Sequence, residues 1–385
     1  MKRIAVYAMA TGVFFFLALK YLVAPWIWAF VSVVLLIAAL AFGAKKRGTK
    51  IILCNVVALP LALSIAESYL YLSAPEEKIK TGTYVTDGYS KEHERLGYAP
   101  MPGIERTLKV TRGDEVVYDV TYAIDDNGLR RTPTSNDASI MCLLFFGGSF
   151  AFGEGLDDDE TLPYFVGREL NGEYRISNFG FHGYGPHQML SAIQTGLVGD
   201  VANGCQEIAA VYSAIPAHVA RAVGHSSWDK HGPRYVLEKE ALVYKGHFDA
   251  GKAPSGYIEK KIERQLRKSL LFRRVLYGRK SATDKDLMTF VAIIEKSHDL
   301  LRENSNFSKF LVLFWDPHNL SSGDDKDTSK KLMQQFSNRD FEHYLVGDIL
   351  DGYKDDRGRY SISAHDAHPN AQANQLLAKY LVGRL

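Results

Sequence analysis

Hydrophobic positions in this chain fall into two regimes. Up to about residue 73 they run almost unbroken, over residues 4–22, 26–42 after the break Ala24-Pro25, and 51–72. Each run approaches the ~20 residues a helix needs to cross the hydrocarbon core, and together they are too many for one cleaved signal peptide. Beyond them the apolar residues come in short bursts. A polar stretch, residues 74–105, is broken by Pro75, Pro100 and Pro102 and reads as a tether. Alternation over 106–110 and 116–123, around Arg112-Gly113-Asp114, predicts a small β-hairpin closed by a turn at Asp125-Asp126-Asn127-Gly128. From there strand-length runs at 140–146, 174–178, 207–212, 309–315 and 344–349 alternate with helix-period segments at 161–170, 188–197 and 286–304. Five strands in this alternation predict an α/β domain over residues 136–385, its parallel sheet covered on both faces.

A long insertion, about 214–285, is read as helical. Ile258, Ile262, Leu266 and Leu270 keep helical spacing, and Lys260, Lys261, Arg264, Arg267 and Lys268 stand between them. Its basic face is either solvated or turned toward anionic lipid headgroups or an anionic polymer.

Charge orients the apolar part. Lys2 and Arg3 flank the first run, and Lys45, Lys46, Arg47 and Lys50 fill the gap between the second and third. Basic residues stay on the cytoplasmic side, so the expectation is three transmembrane helices over residues 1–73, with the rest outside a bacterial inner membrane. Trp26, Trp28, Tyr69 and Tyr71 suit the interface, and Glu67, near the outer end of the third run, reads as an anchor there. A net charge of +2 argues against a nucleic-acid partner. Three cysteines make no disulfide framework; Cys142 and Cys205 are read as separate buried thiols rather than a bond.

Candidate chemistry gathers at two places. The run ending in Phe145-Phe146 stops at Gly147-Gly148, and Ser149 follows at once, where a fold exposes either a nucleophile or a helix N-cap. A serine nucleophile needs a base in reach and a third group to orient that base. Near the C-terminus Asp366 and His368 stand two apart, ahead of Pro369. Pro369 would start the last helix, placing both on the loop entering it, although Asp366 could equally be that helix's cap. No cofactor is implied: His182, His187, His218 and His225 lack metal-ligand spacing, and Gly153-Glu154-Gly155 lacks the lysine of a phosphate loop.

Gly147-Gly148-Ser149-Phe150, then the segment from Asn178 through Gly183, Tyr184 and Gly185 to Pro186, then Asp366-Ala367-His368-Pro369-Asn370 resemble the first, second and fifth sequence blocks of the SGNH/GDSL hydrolase superfamily. The resemblance spans residues 140–385, and the preceding helices and β segment (residues 74–135) are similar to the layout of membrane-anchored members. It implies a three-layer α/β/α flavodoxin-like domain, Ser149 as nucleophile, His368 as base and Asp366 as its orienter. The oxyanion hole would include the N–H groups of Ser149 and Gly183. Apart from the resemblance, Tyr184 is read as a substrate-binding residue, and Arg221 as a salt-bridge or substrate-carboxylate partner rather than a catalytic group. Two departures stand out. The first block has Gly-Gly-Ser for the usual Gly-Asp-Ser, and the third block, at Tyr212-Ser213-Ala214, lacks the asparagine that donates to the oxyanion. Either His218 donates in its place or the hole rests on backbone groups alone. The function implied is a serine esterase or O-acyltransferase working on acyl groups of a cell-envelope glycan; the alternative is a degraded domain that binds glycan or holds an assembly together.

Overall fold

The computed structural model describes residues 11–13, 15, 17, 25–44, 46–73, 81–85, 88–239, 241–250, 262, 264–276, 282–304, 306–318 and 323–385. The first apolar run, 4–22, lies mostly outside them. The chain divides into two compact units, Met1–Lys78 with Lys252–Lys280, and Ile79–Gly251 with Ser281–Leu385.

In the first unit the second apolar run forms helix α1 (Pro25–Gly43), which opens on the proline that ends the preceding run. The third forms α2 (Arg47–Val56) and α3 (Ala58–Ser73), with the join just ahead of Pro60, which cannot donate to a helical bond. Together Arg47–Ser73 is the one described helix long and apolar enough to cross a membrane. Glu67 has protein partners that the sequence did not reveal. Its carboxylate is buried among protein groups and accepts from Ser269 Oγ at 2.8 Å and from the Leu270 and Leu271 N–H groups at 2.7 and 2.8 Å. It therefore caps the short helix Leu270–Leu276, satisfying N–H groups that a helix leaves free at its first turn. Trp26 Nε1 donates to the Gln265 carbonyl at 2.7 Å, and its ring meets Phe272 edge-on. The insertion is not one basic helix: Ile262 and 264–266 are helical, a turn over 267–268 interrupts, and Lys260 and Lys261 lie outside the described residues.

The second unit starts inside the stretch read as a tether. That stretch supplies β1 (Thr81–Val85), β2 (Ser90–His93) and β3 (Gly97–Pro100), the last two a hairpin. The expected hairpin is β4 (Ile104–Arg112) against β5 (Glu115–Ile124), with β1 on its outer edge. Then comes the main sheet, five parallel strands: β6 (Met141–Gly147), β7 (Arg175–Asn178), β8 (Glu207–Ala214), then β11 (Phe307–Phe314) and β12 (Glu342–Leu345), in the order β12-β11-β8-β6-β7. Counted by their place among the five, that is 5-4-3-1-2, the flavodoxin-like order, whose switch point lies between β6 and β8. The intervening β9 (Pro233–Glu238) and β10 (Ala241–His247) form a separate hairpin inside the insertion, so the insertion is only partly helical. The expected strand over 344–349 is half strand and half helix, turning at Val346.

Period-two burial builds the layers. Leu144, Phe146, Ala210, Tyr212, Val312 and Phe314 face one side, with residues of helices α6 (Pro186–Gln194) and α9 (Asp284–Arg302) and of Gly323–Phe336, which the sequence pattern did not reveal. Leu143, Phe145, Val211, Leu311 and Leu313 face the other, with α5 (Leu162–Glu169) and the C-terminal helix Ala371–Val382. Cys142 and Cys205 are joined by a disulfide, contrary to the reading as separate thiols. The cause is pairing: parallel β6 and β8 put Cys142 opposite Ile208, three residues beyond Cys205, and bring the two Cα atoms to 5.9 Å.

Candidate active site

Strand β6 ends at Gly147 with φ +146°, and a β-carbon there would stand 2.8 Å from the Ser213 carbonyl of β8. Only glycine lets the two strand ends approach this closely. Gly148 then caps the single-turn helix α4 (Ser149–Phe152), so Ser149 is its first residue and not its cap. Its N–H, at the helix start, is not used by the helix.

Asp366 and His368 lie on a short strand, β14 (Asp366–Pro369), paired with β13 (Ser361–Ser363), rather than on a loop. The last helix begins after Asn370, whose side chain caps it by accepting from Ala373 N–H; neither Pro369 nor Asp366 does so. This frees Asp366 for His368: its Oδ1 accepts from the backbone N–H at 2.9 Å and from the ring Nδ1–H at 2.5 Å. The other ring nitrogen, Nε2, lies 2.8 Å from Ser149 Oγ. Burial disfavours the charged ring, but the Asp366 hydrogen bond and the negative charges of Glu154 and Asp366 outweigh it and raise the His368 pKa above its ordinary 6.5. The ring is thus oriented with a proton on Nδ1 and a lone pair on Nε2 toward the serine.

Three groups converge on Gly148 from across the switch point. A β-carbon there would meet Arg221 Nη1 at 2.7 Å, His218 Nε2 at 2.9 Å and the Tyr184 carbonyl at 2.9 Å. His218, on helix α8 (Ala217–Ala222), is wholly buried; Tyr212 OH lies 2.7 Å from its Nδ1, and its Nε2 has no hydrogen-bond partner among the described residues. Burial, then Arg221 and His187, push its pKa well below 6.5, so the ring is neutral. Burial raises the Tyr212 pKa, so that hydroxyl keeps its proton, and His218 Nδ1 is its one hydrogen-bond partner among the described residues, so the proton is donated there. The His218 proton is therefore on Nε2, beside the nucleophile turn. Arg221 donates to the Tyr184 carbonyl at 2.8 Å. Tyr184 differs from expectation: its side chain is buried and its hydroxyl is committed to the Tyr98 carbonyl, so only its backbone oxygen faces the site. Gly183 has φ +75° and packs against Trp228 and Tyr98.

Two residues near the site escaped the sequence reading. Arg130 is buried, pairs with Asp158 at 2.9 Å, and donates to the carbonyls of Phe152, Gly153 and Leu156, tying down the loop that follows α4. That loop presents Glu154, which sequence pattern weighed only as part of a phosphate loop. An apolar cavity of about 200 Å³ opens beside Gly147, Phe181 and Met189, but neither Ser149 nor His368 lines it.

A flavodoxin-like α/β domain with a Ser-His-Asp constellation at the carboxyl edge of its sheet is thus the class of protein that fold and site define. No family model matches the sequence, and no curated protein matches it. Among solved structures, the chain is similar to a member of the lipolytic protein G-D-S-L family from Veillonella parvula DSM 2008, at 13% identity and TM-score 0.37, over 63% of this chain and 97% of that one. It is similar also to a carbohydrate acetylesterase family member from Sinorhizobium meliloti, at 10% identity and TM-score 0.35, over 63% and 96%. An acetyl xylan esterase from Butyrivibrio proteoclasticus matches at 12% identity and TM-score 0.33, over 73% and 68%. Overlays this loose carry nothing about chemistry, which stands on the residues themselves.

Proposed function

We propose that this chain is a membrane-tethered serine esterase or O-acyltransferase of the SGNH/GDSL type, which removes or transfers ester-linked acyl groups, O-acetyl above all, of a cell-envelope or exported glycan. One observation carries the reading: His368 bridges Ser149 and Asp366 by its two nitrogens at hydrogen-bond distance, across 219 residues of chain. Ser149 Oγ attacks the ester carbonyl as its proton passes to His368 Nε2, and Asp366 steadies the imidazolium. The tetrahedral oxyanion is held by the N–H groups of Ser149 and Gly183 and by His218 Nε2–H, which takes the place of the absent asparagine side chain. The leaving alcohol takes the proton from His368, and water or a sugar hydroxyl then resolves the acyl-enzyme. Arg221, behind the Tyr184 carbonyl, holds that wall of the site.

The tether follows from Arg47–Ser73 and the basic residues before it, with the three-crossing, cytoplasmic N-terminus arrangement and a periplasmic catalytic unit as the proposal. The Cys142–Cys205 disulfide supports an oxidising compartment for that unit. Hydrolysis of p-nitrophenyl acetate by the full chain, compared with Ser149→Ala, tests the chemistry. The wild-type chain should turn over and take a fluorophosphonate label on Ser149; equal rates in the two proteins would sink the enzyme reading and leave the glycan-binding one.

A further inference from the structure

The triad uses one nitrogen of His368 for Asp366 and the other for Ser149. A third group reaches the ring. Glu154 Oε2 lies 3.6 Å from His368 Nε2, at the same nitrogen that faces the serine. Glu154 is itself elaborately held. The same oxygen accepts from His182 Nδ1 at 2.6 Å, Oε1 faces Tyr118 OH at 3.4 Å, and Tyr89 OH closes on His182 Nε2 at 2.5 Å. Tyr89 keeps its proton, since burial first and Tyr122 next raise its pKa. The carboxylate can only accept, so His182 Nδ1 carries the proton between them, and Tyr89 OH meets the other ring nitrogen. The backbone below is pinned by Arg130 on the Phe152 and Gly153 carbonyls.

We propose that Glu154 is a second positioning carboxylate for His368, set at Nε2 where Asp366 is set at Nδ1, and that it stabilises the imidazolium formed when Ser149 gives up its proton. The proposal rests on the serine-nucleophile reading above. Glu154 is ionised at any working pH: burial pushes its pKa up, but the His182 hydrogen bond and the charges of His182 and His368 outweigh that and hold it at about 2. The groups facing His368 are Asp366 and Glu154, which favour its charge, and Arg221, which opposes it. The groups facing Glu154 are His182, His368 and Tyr118. A carboxylate within ~4–6 Å of an imidazole typically raises its pKa by about 1 unit or more.

The rate of Ser149 phosphonylation by a fluorophosphonate measures this without knowledge of the substrate. Oγ forms a bond to phosphorus, fluoride leaves, and the Oγ proton passes to His368, so the rate falls as that ring becomes protonated. The full chain in detergent would be labelled between pH 5 and 9, as wild type, Glu154→Gln and Glu154→Asp. The glutamine is near in shape and keeps an acceptor for His182, which preserves the fold. We expect Glu154→Gln to move the acid limb down by about one pH unit and to lower the alkaline plateau severalfold, because His368 becomes a weaker base. Glu154→Asp, with the charge restored, should return the limb toward wild type. An unmoved limb in Glu154→Gln, whatever its plateau, would overturn the proposal and leave Glu154 a merely structural residue. Absence of any label on the wild-type chain would instead overturn the serine-nucleophile reading on which the proposal stands.

Discussion

Replacing His218 with phenylalanine tests the most unusual part of the site. The ring is fully buried, phenylalanine keeps an aromatic ring there, and the change removes one N–H, the Nε2 donor beside Gly148. Deleting a single oxyanion donor typically costs 10²–10³ in kcat, about 2.7–4 kcal/mol of transition-state stabilisation. The ground-state ester has no full negative charge for that donor to hold, so KM should move little. A stability effect can be separated from this. His218→Phe leaves Tyr212 OH facing a carbon edge, a loss of about 1–3 kcal/mol for an unpaired buried hydroxyl. The double variant with Tyr212→Phe removes that orphan, so it should regain most of the lost Tm but none of the lost kcat. Initial rates of p-nitrophenyl acetate hydrolysis over a range of substrate concentrations, with melting curves for the three variants, decide it. A kcat within tenfold of wild type in a folded His218→Phe would refute the oxyanion role, as would a loss confined to KM.

Two further outcomes are expected. Cys142→Ser with Cys205→Ser opens a loop whose ends are 63 residues apart, and chain entropy sets the cost at about 4 kcal/mol; denaturant midpoints with and without reductant check this, and a wild-type midpoint insensitive to reductant would contradict it. Arg130→Met takes the buried guanidinium from the half-buried Asp158 and from three carbonyls, so unfolding free energy should fall by about 3 kcal/mol; a fall below about 1 kcal/mol would show that the loop after α4 does not depend on it.

Much of the architecture was legible because burial writes a period into the chain. Strands covered on both faces must be apolar where they are covered, and residues 140–146 and 310–315 are; β1, β2 and β3 went unseen because short strands outside the main sheet carry mixed polarity. The helix Gly323–Phe336 was missed for a related reason, since it puts few apolar residues inward among many charged ones. Ser149, Asp366 and His368 could be picked out by residue type and order. Their element could not: Asn370 rather than Pro369 starts the final helix, because a side chain able to accept from Ala373 N–H satisfies a donor that proline leaves unmet.

By itself, then, the sequence determined long apolar runs ahead of residue 73, a parallel α/β sheet, and the serine, aspartate and histidine as candidate chemistry. Periodicity and local chemistry are properties of neighbouring residues, and these features need nothing more. Tertiary structure alone decided the pairings across the sheet. Parallel pairing of β6 with β8 joined Cys142 to Cys205 and drew His218 up to Gly148; the crossing of the loop after α4 over His182 set Glu154 against His368. Contacts between residues dozens to hundreds of positions apart depend on register and strand order, which no local pattern encodes.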